Sequence, residues 1–216
     1  MNNFFAAWAG KLTAPYQATV LLSRIRSSDP LQLLAAAAPT YINNLLYLGV
    51  ESAKVIPHRL PVPVSIKCFS TRHPSGVDRI DKSLTPHRLV YAVFCGGEIV
   101  HQSWVRFDAL TPSQYGFDSR VPVIGEAFTQ RIYRGYGVFP FTMNCILKDL
   151  KKRHGTDQVY ALVSPTNNAS VRGLEKAGFQ LLAHLKGTRF LGVFIMNKSI
   201  ERAPEALALP ALPIAS

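Results

Sequence analysis

The residues best suited to chemistry lie in a glycine-containing loop between positions 130 and 140 of this 216-residue chain. Arg134, Gly135 and Gly137 stand between an apolar run (121–128) and an amphipathic run (141–152). This order predicts a strand, a loop and a helix. Glycine lets the backbone approach a ligand closely, and a helix start offers free N–H groups and the positive end of its dipole. The pattern therefore indicates a site for a phosphate group.

A second group of polar and small residues follows further along the chain, with Asn167 and Ser170 first and Gly178 and Phe179 after them. The asparagine oxygen is suited to cap a helix, and Gly178 is suited to end it. The loop is not followed by Gly-Lys-Ser/Thr, and no acidic residue stands at the distance typical of a dinucleotide-binding βαβ unit. These observations argue against P-loop and Rossmann sites.

Together these motifs resemble the acyl-CoA-binding core of the GCN5-related N-acetyltransferase (GNAT) family. The loop of that family reads Arg/Gln-x-x-Gly-x-Gly/Ala. Arg134 and Gly137 match it, and Phe139 stands where Gly or Ala is usual. Asn167 and Ser170 match the family's Asn-x-x-Ser/Ala. The resemblance is sharp over residues 121–180 and absent from 1–60.

The resemblance implies acetyl-CoA, or another acyl-CoA, as co-substrate and no metal. The loop and the helix start would hold the diphosphate. The end of the preceding strand would pair with the pantetheine arm, because the amides of that arm can lie along an open sheet edge like an added strand. The residues implied to bind the co-substrate are Phe128, Thr129, Arg134, Gly135, Tyr136, Gly137, Val138, Phe139, Asn167 and Ser170.

In such an enzyme an amine attacks the thioester directly, and a general base removes the amine's proton. Glu126 is the base that we expect, because alternation along a strand places it on one face with Ile124 and Phe128. The glutamate of several family members would fall at position 124, so Glu126 is displaced by two residues. The alternative is a structural carboxylate that binds a neighbouring loop or an arginine.

The usual general acid of the family is a tyrosine, and this chain has Leu174 at that position. Either another group protonates the thiolate or none is needed. The candidates are Tyr133, Tyr136, Ser164 and Ser170. His101 lies on an alternating strand, where a structural role is expected rather than a catalytic one.

The leading hypothesis is acetyl transfer from acetyl-CoA to a small-molecule amine, with an amino sugar of a surface polysaccharide as the favoured acceptor. One alternative is an enzyme that uses a long-chain acyl-CoA or an acyl carrier protein, to which a basic surface would be suited. Another is a non-catalytic GNAT-fold module that binds CoA. A further alternative, modification of tRNA or of a ribosomal protein, is suggested only by the net charge of +11.

Composition limits the remaining classes. The net charge of +11 is dispersed, so nucleic acid is not the expected partner. Three widely spaced cysteines fit reduced thiols in a cytoplasmic protein, and no Cys/His cluster has the spacing of a zinc site. No apolar run reaches the ~20 residues of a membrane-spanning helix. A homodimer is a further expectation.

The pattern of elements predicts an α/β (α+β) protein with a mixed, mostly antiparallel central sheet flanked by helices. We expect an N-terminal helical extension (1–60), with helices near 31–38 and 41–48, a GNAT domain (61–198) and a flexible tail (199–216). Strands are expected at 62–69, 88–95, 98–107, 121–128, 158–163, 179–185 and 190–196. A Gly-Gly hairpin joins the second and third strands, a turn at 186–188 joins the last two, and helices span 141–153 and 168–177.

Overall fold

The structure is a computed structural model that describes residues 39–52, 56–82, 84–190 and 194–204. Its contacts divide the chain into two compact units. One comprises residues 44–184 and 200–216, and the other comprises 1–43 and 185–199. Every feature of the candidate site belongs to the first unit.

Eight strands and four α-helices make up the described chain. The strands are β1 (Thr40–Val50), β2 (Val64–Phe69), β3 (Arg88–Cys95), β4 (Glu98–Arg106), β5 (Val123–Thr129), β6 (Gln158–Val163), β7 (Gln180–Phe190) and β8 (Phe194–Arg202). The helices are α1 (Asp78–Asp81), α2 (Leu110–Gln114), α3 (Val138–His154) and α4 (Asn168–Lys176), and a 3₁₀ turn spans Arg131–Tyr133.

The strands form one sheet in the order β2-β3-β4-β5-β6-β1-β7-β8. Pairing is antiparallel between β2 and β3, β3 and β4, β4 and β5, and β6 and β1, and it is parallel between β5 and β6. The predicted architecture, a mixed and mostly antiparallel sheet with helices beside it, is confirmed.

The β3–β4 hairpin turns at Gly96 and Gly97, whose φ angles of 58° and 88° lie in the left-handed region. Two successive positive φ angles suit the tight turn that joins antiparallel strands. The predicted Gly-Gly hairpin is therefore confirmed.

The core lies between α3 and the sheet. Helix α3 buries one face, and each large aliphatic side chain there contributes roughly 1.5–3 kcal/mol by leaving water. Burying this face fixes where the helix begins, and so fixes the loop before it. The core residues from α3 are Met143, Ile146, Leu147 and Leu150, and those from the strands include Tyr91, Val105, Ile124, Val159 and Ala161.

Two expectations about the elements are wrong. Residues 41–48 belong to β1 and not to a helix, because they pair with β6 from Leu45↔Val163 to Leu48↔Tyr160. The expected turn at 186–188 is also wrong, since β7 runs through it to Phe190.

Other boundaries differ in detail. Strand β8 extends to Arg202, past the expected domain boundary at 198. The loop at 108–120 contains the short helix α2. The helix expected near 31–38 lies outside the described residues, and the domain boundaries stay predictions.

Candidate functional site

The site begins where two parallel strands separate. Strands β5 and β6 pair only at Val123↔Tyr160 and Ile124↔Ala161. Beyond these residues β5 continues to Thr129 against β4 alone, while β6 pairs with β1. The second half of β5 therefore presents a backbone edge to a gap in the sheet, as expected for a site that receives an extended ligand.

A bulge lies at the start of this gap. Strand β4 pairs Trp104 with Gly125 and Gln102 with Phe128, so Ser103 stands opposite two residues of β5. One of these is Glu126, whose φ of 50° is unusual for a residue with a side chain. The bulge breaks the alternation from which the sequence placed Glu126 on one face with Ile124 and Phe128. Phe128 is 52% exposed, whereas Ile124 is 3% exposed, so these two residues do not share one environment. Ile124 and Glu126, by contrast, line the same small cavity.

The glycine loop ends at the N-terminus of α3. Gly137 is the N-cap residue with a φ of 76°, and Gly135 has a φ of 84°. A Cβ on Gly135 would meet no atom within 4 Å. Among the described residues, the structure records no acceptor for the N–H groups of Val138 and Phe139. Free amides and an open approach are what a helix start needs to bind an anion.

Arg59 supports this loop from the chain segment before β2. Its backbone N–H donates to the carbonyl of Tyr136 at 2.7 Å, and its guanidinium donates to the carbonyl of Gly135 at 2.7 Å. Sequence reasoning missed this residue, because an arginine in a proline-rich linker carries no motif.

Arg134 links the loop to the end of β5. Its Nε donates to the carbonyl of Thr129 at 3.0 Å, and its guanidinium carbon lies 5.8 Å from the centre of the Phe128 ring. The charge of Arg134 is thus held at the mouth of the gap.

These elements surround a cleft of about 610 Å³. Four cations line it, namely Arg59, Arg134, Arg172 and Lys176, and none of its described lining residues carries a carboxylate. Of the residues expected to bind the co-substrate, the cleft is lined by Phe128, Thr129, Arg134, Gly135, Gly137, Val138, Phe139, Asn167 and Ser170. Tyr136 does not line the cleft. Its side chain is 42% exposed, and its role stays a prediction.

Asn167 caps α4, as the sequence suggested. Its side-chain oxygen accepts from the N–H of Ser170 at 3.2 Å. The same residue lines the cleft, so capping and ligand contact are compatible.

A smaller cavity of about 200 Å³ adjoins the cleft. The two share Ala127, Phe139, Asn167 and Ser170 as lining residues. Glu126 and Ser164 also line the smaller cavity, and its apolar wall comprises Ile124, Met143, Ala161, Val163 and Leu174. The cleft therefore leads into a small space that has both apolar and polar walls and lies beside a carboxylate.

Glu126 forms an ion pair with Arg88 through its Oε2. The Glu126 side chain is 58% exposed, whereas that of Arg88 is 17% exposed. The guanidinium of Arg88 lies 3.7 Å from the centre of the Trp104 ring, a cation–π contact. The arginine is thus fixed by its surroundings and orients the carboxylate. This contact is the one that a structural carboxylate would make, so the alternative reading of Glu126 stays open.

His101 lies on β4, where it pairs with Thr129 at the end of β5, and it is 1% exposed. Its Nδ1 lies 2.7 Å from the hydroxyl of Thr129, and its Nε2 lies 2.7 Å from the hydroxyl of Ser103. Burial lowers the pKa of His101 to about 4. The residue is therefore a neutral, hydrogen-bonded part of the interior, as expected from the sequence.

The candidates for a general acid differ in position. Leu174 is 2% exposed and belongs to the core. Tyr133 lines the cleft, and its hydroxyl donates to Glu98 at 3.5 Å. Burial and the charge of Glu98 raise the pKa of Tyr133. Ser170 lines both cavities, and Ser164 lines the smaller one.

Within residues 39–52, 56–82, 84–190 and 194–204, no group of three or more His, Cys, Asp or Glu side chains could hold a metal ion. The cysteines Cys68, Cys95 and Cys145 are free thiols. Among the helices of the same residues, none has the length and apolar character to span a membrane.

No protein-family model matches the chain, and no curated protein matches it. Solved structures do. An acetyltransferase of the GNAT family from Colwellia psychrerythraea has 14% identity and a TM-score of 0.44, with 71% of this chain and 57% of that chain covered. A tandem GNAT protein from the clavulanic acid biosynthesis pathway has 12% identity and a TM-score of 0.44, with 71% and 56% covered.

A GCN5-related N-acetyltransferase from Sphaerobacter thermophilus has 15% identity and a TM-score of 0.42, with 80% of this chain and 56% of that chain covered. The chain thus spans less than three fifths of the length of each of these three proteins. Identities at this level concern the fold alone. TM-scores of 0.42 and 0.44 are too low to assign this chain to a family, so the resemblance to the GNAT family stays a prediction from the sequence.

Proposed function

We propose that this chain is an N-acyltransferase that takes an acyl group from acetyl-CoA and passes it to a small-molecule amine. The observation that carries the proposal is the joining of two features in one cleft. An unpaired sheet edge at the end of β5 leads directly to a left-handed glycine loop at the start of α3. A ligand that is anionic at one end and amide-containing along its length would use both.

The residues present fit such a co-substrate. The N–H groups of Val138 and Phe139, together with Arg134, would bind its diphosphate, because a helix start and a guanidinium both favour phosphate oxygens. The backbone of Ala127, Phe128 and Thr129 would pair with the amides of its pantetheine arm. The lack of carboxylates among the described residues lining the cleft avoids repulsion of the anion.

The smaller cavity would take the acyl group. Its volume of about 200 Å³ and its apolar wall suit a short acyl chain, so we place acetyl-CoA before long-chain donors. Leu174 forms part of this wall, at the position where the family's tyrosine would have placed a hydroxyl.

Glu126 would act as the general base in this reaction. It lines the smaller cavity, and Arg88 holds one oxygen of its carboxylate. In the transfer step the amine nitrogen forms a bond to the thioester carbonyl, the C–S bond breaks, Glu126 accepts the proton of the amine, and the thiolate gains a proton. Ser170 is the hydroxyl that we favour for passing on that last proton, because it lines both cavities. It would give its own proton to the thiolate and receive the one that Glu126 took from the amine, so both side chains end in their starting protonation states.

Two glycine substitutions test the binding site. Gly135 and Gly116 both have positive φ, 84° and 85°, and a Cβ on either would meet no protein atom within 4 Å. Changing either to alanine costs a similar ~1 kcal/mol in backbone strain. Only Gly135 lines the cleft. We therefore expect Gly135→Ala to weaken CoA binding, measured by calorimetry, and Gly116→Ala to leave it unchanged. Equal affinities in both variants would contradict the site.

A thiol-release assay tests the reaction itself. The full chain is supplied with acetyl-CoA or longer acyl-CoAs and a panel of amines, with amino sugars first. We expect amine-dependent release of CoA thiol with acetyl-CoA. A chain that binds CoA but releases no thiol with any amine would instead be the non-catalytic CoA-binding module.

A further inference from the structure

The segment that runs from the end of β5 into the glycine loop exposes several large apolar side chains. Three large side chains within nine residues are exposed there: Phe128 by 52%, Ile132 by 71% and Tyr136 by 42%. Single exposed apolar residues are ordinary on a protein surface. Three on one short segment beside a binding cleft are more informative, since apolar patches of this kind mark interaction sites.

The same segment is basic. Residues 127–140 contain Arg131 and Arg134 and no Asp or Glu, and Arg59 is bound to the loop through Gly135 and Tyr136. Glu98, which Tyr133 contacts at 3.5 Å, is the acidic side chain recorded against it. Aromatic residues and arginine are enriched at protein interfaces, and an excess of positive charge favours an acidic partner.

The chemistry of the proposed donor indicates which kind of acidic protein would bind to this segment. Pantetheine is carried in cells either by a nucleotide or by a protein, whose serine is joined to the arm through a phosphate. The serine of the carrier protein is bonded directly to the phosphate of this arm. If that phosphate lies at Gly135 and Gly137, the serine lies next to it, at the mouth of the cleft. The carrier's surface must then contact the residues around the cleft mouth. Arg131, Ile132 and Tyr136, which are exposed and do not line the cleft, form what we call the exposed loop face, and they are positioned for that contact.

From these observations we infer that the exposed loop face is a docking surface for an acidic acyl carrier protein, whose phosphopantetheine arm enters the cleft. The inference rests on the proposed function and names a protein that delivers the donor to the same site. Arg131 would contact acidic side chains of the carrier, and Ile132 would pack against apolar side chains between them. Neither residue lines the cleft, so the carrier's body and its arm would use different residues.

This separation gives a direct test with the full chain. Binding of an acidic carrier protein, in its holo form with the arm attached and in its apo form without it, is measured by calorimetry beside binding of CoA. The variants are Arg131→Glu and Ile132→Asp, with Arg72→Glu as a matched charge reversal on the exposed β2–α1 connection. Melting temperatures check that every variant is folded.

We expect Arg131→Glu and Ile132→Asp each to weaken holo-carrier binding about tenfold or more, as loss of an interfacial charge or apolar anchor does. CoA binding should stay unchanged in both, and Arg72→Glu should change neither affinity. The holo form should bind more tightly than the apo form, and added salt should weaken the complex.

Three outcomes would overturn the inference. If both variants weaken CoA binding as much as carrier binding, the exposed loop face contacts the nucleotide of CoA and not a protein. If the wild-type chain binds CoA and no carrier, the surface has another use, while the proposed function stands. If carrier binding is unaffected by both variants, docking occurs elsewhere. Failure of the proposed function is recognised separately, because the wild-type chain would then bind no CoA.

Discussion

The ring of Phe139 occupies the space that a side chain at position 173 would need. A Cβ on Gly173 would lie 2.6 Å from Cε1 of Phe139, closer than real contacts allow. A buried glycine within α4 costs about 1 kcal/mol relative to alanine. The ring of Phe139 explains why position 173 is a glycine. Gly173 in turn explains how a large ring fits at the loop position where the GNAT family usually has Gly or Ala.

This relationship predicts an unusual result for a glycine-to-alanine change in a helix. Gly173→Ala should destabilise the protein by roughly 1–3 kcal/mol through overpacking, despite the better helix propensity of alanine. Adding Phe139→Ala should recover much of this loss, because the space is then free. Urea unfolding of both single variants and the double variant measures the coupling. Simple additivity of the two changes would contradict the finding.

Glu126→Gln is expected to lower turnover by about a hundredfold or more, because a glutamine cannot accept the amine's proton. Its amide oxygen can still bind Arg88, so CoA affinity should be unchanged. Steady-state kinetics and calorimetry measure the two quantities. Glu51→Gln, which alters the surface ion pair with Lys151, is the control. A fully active Glu126→Gln variant would leave the carboxylate with a structural role.

His101 predicts a pH dependence of stability. Its pKa is about 4 in the folded protein and 6.5 ordinarily. Between these values the unfolded chain binds a proton that the folded chain does not. The stability that the folded protein gains from keeping His101 neutral is therefore fully present above pH 6.5 and is lost as the pH falls towards 4.

The measurement is the free energy of unfolding at several pH values in that window. The slope from one such group approaches ~1.4 kcal/mol per pH unit. In His101→Asn the slope should flatten, although stability at neutral pH is lower because hydrogen bonds to Thr129 or Ser103 are lost. His73→Gln, on an exposed turn, should keep the full slope. An unchanged slope in His101→Asn would show that other groups cause the pH dependence.

Arg59→Met tests the support of the glycine loop. It removes the guanidinium bond to Gly135 and a cation of the cleft, while the backbone bond to Tyr136 can persist. Loss of an exposed, charge-assisted hydrogen bond of ~1 kcal/mol raises KM for acetyl-CoA about fivefold, with kcat unchanged. Arg72→Met is the matched control. If the two variants have the same KM, Arg59 does not order the loop.

The parts of the fold that the sequence predicted are those encoded locally. Gly96 and Gly97 specify the hairpin by their own conformational freedom, and Gly137 and Gly155 mark the two ends of α3. Helix α3 begins three residues earlier than expected, at Val138, because Pro140 is accommodated in the first turn, where an N–H is not needed.

What the sequence did not predict depends on distant partners. Residues 41–48 are leucine-rich and contain no helix breaker, yet they form a strand because β6 supplies its pairing edge from more than a hundred residues away. The link between Arg59 and Gly135 spans 76 residues and has no motif. The bulge at Glu126 arises from register with Trp104 and Gln102 across the sheet, so alternation within β5 alone could not reveal it.

The bulge at Glu126 lies where the pairing between β5 and β6 ends. Neighbouring parallel strands usually pair along most of their length. The pairing between β5 and β6, however, ends after two pairs of residues. The surplus residue beside Ser103 turns the remainder of β5 away from β6. The ligand entrance therefore opens at the point where β5 contains one amino acid more than its neighbour β4.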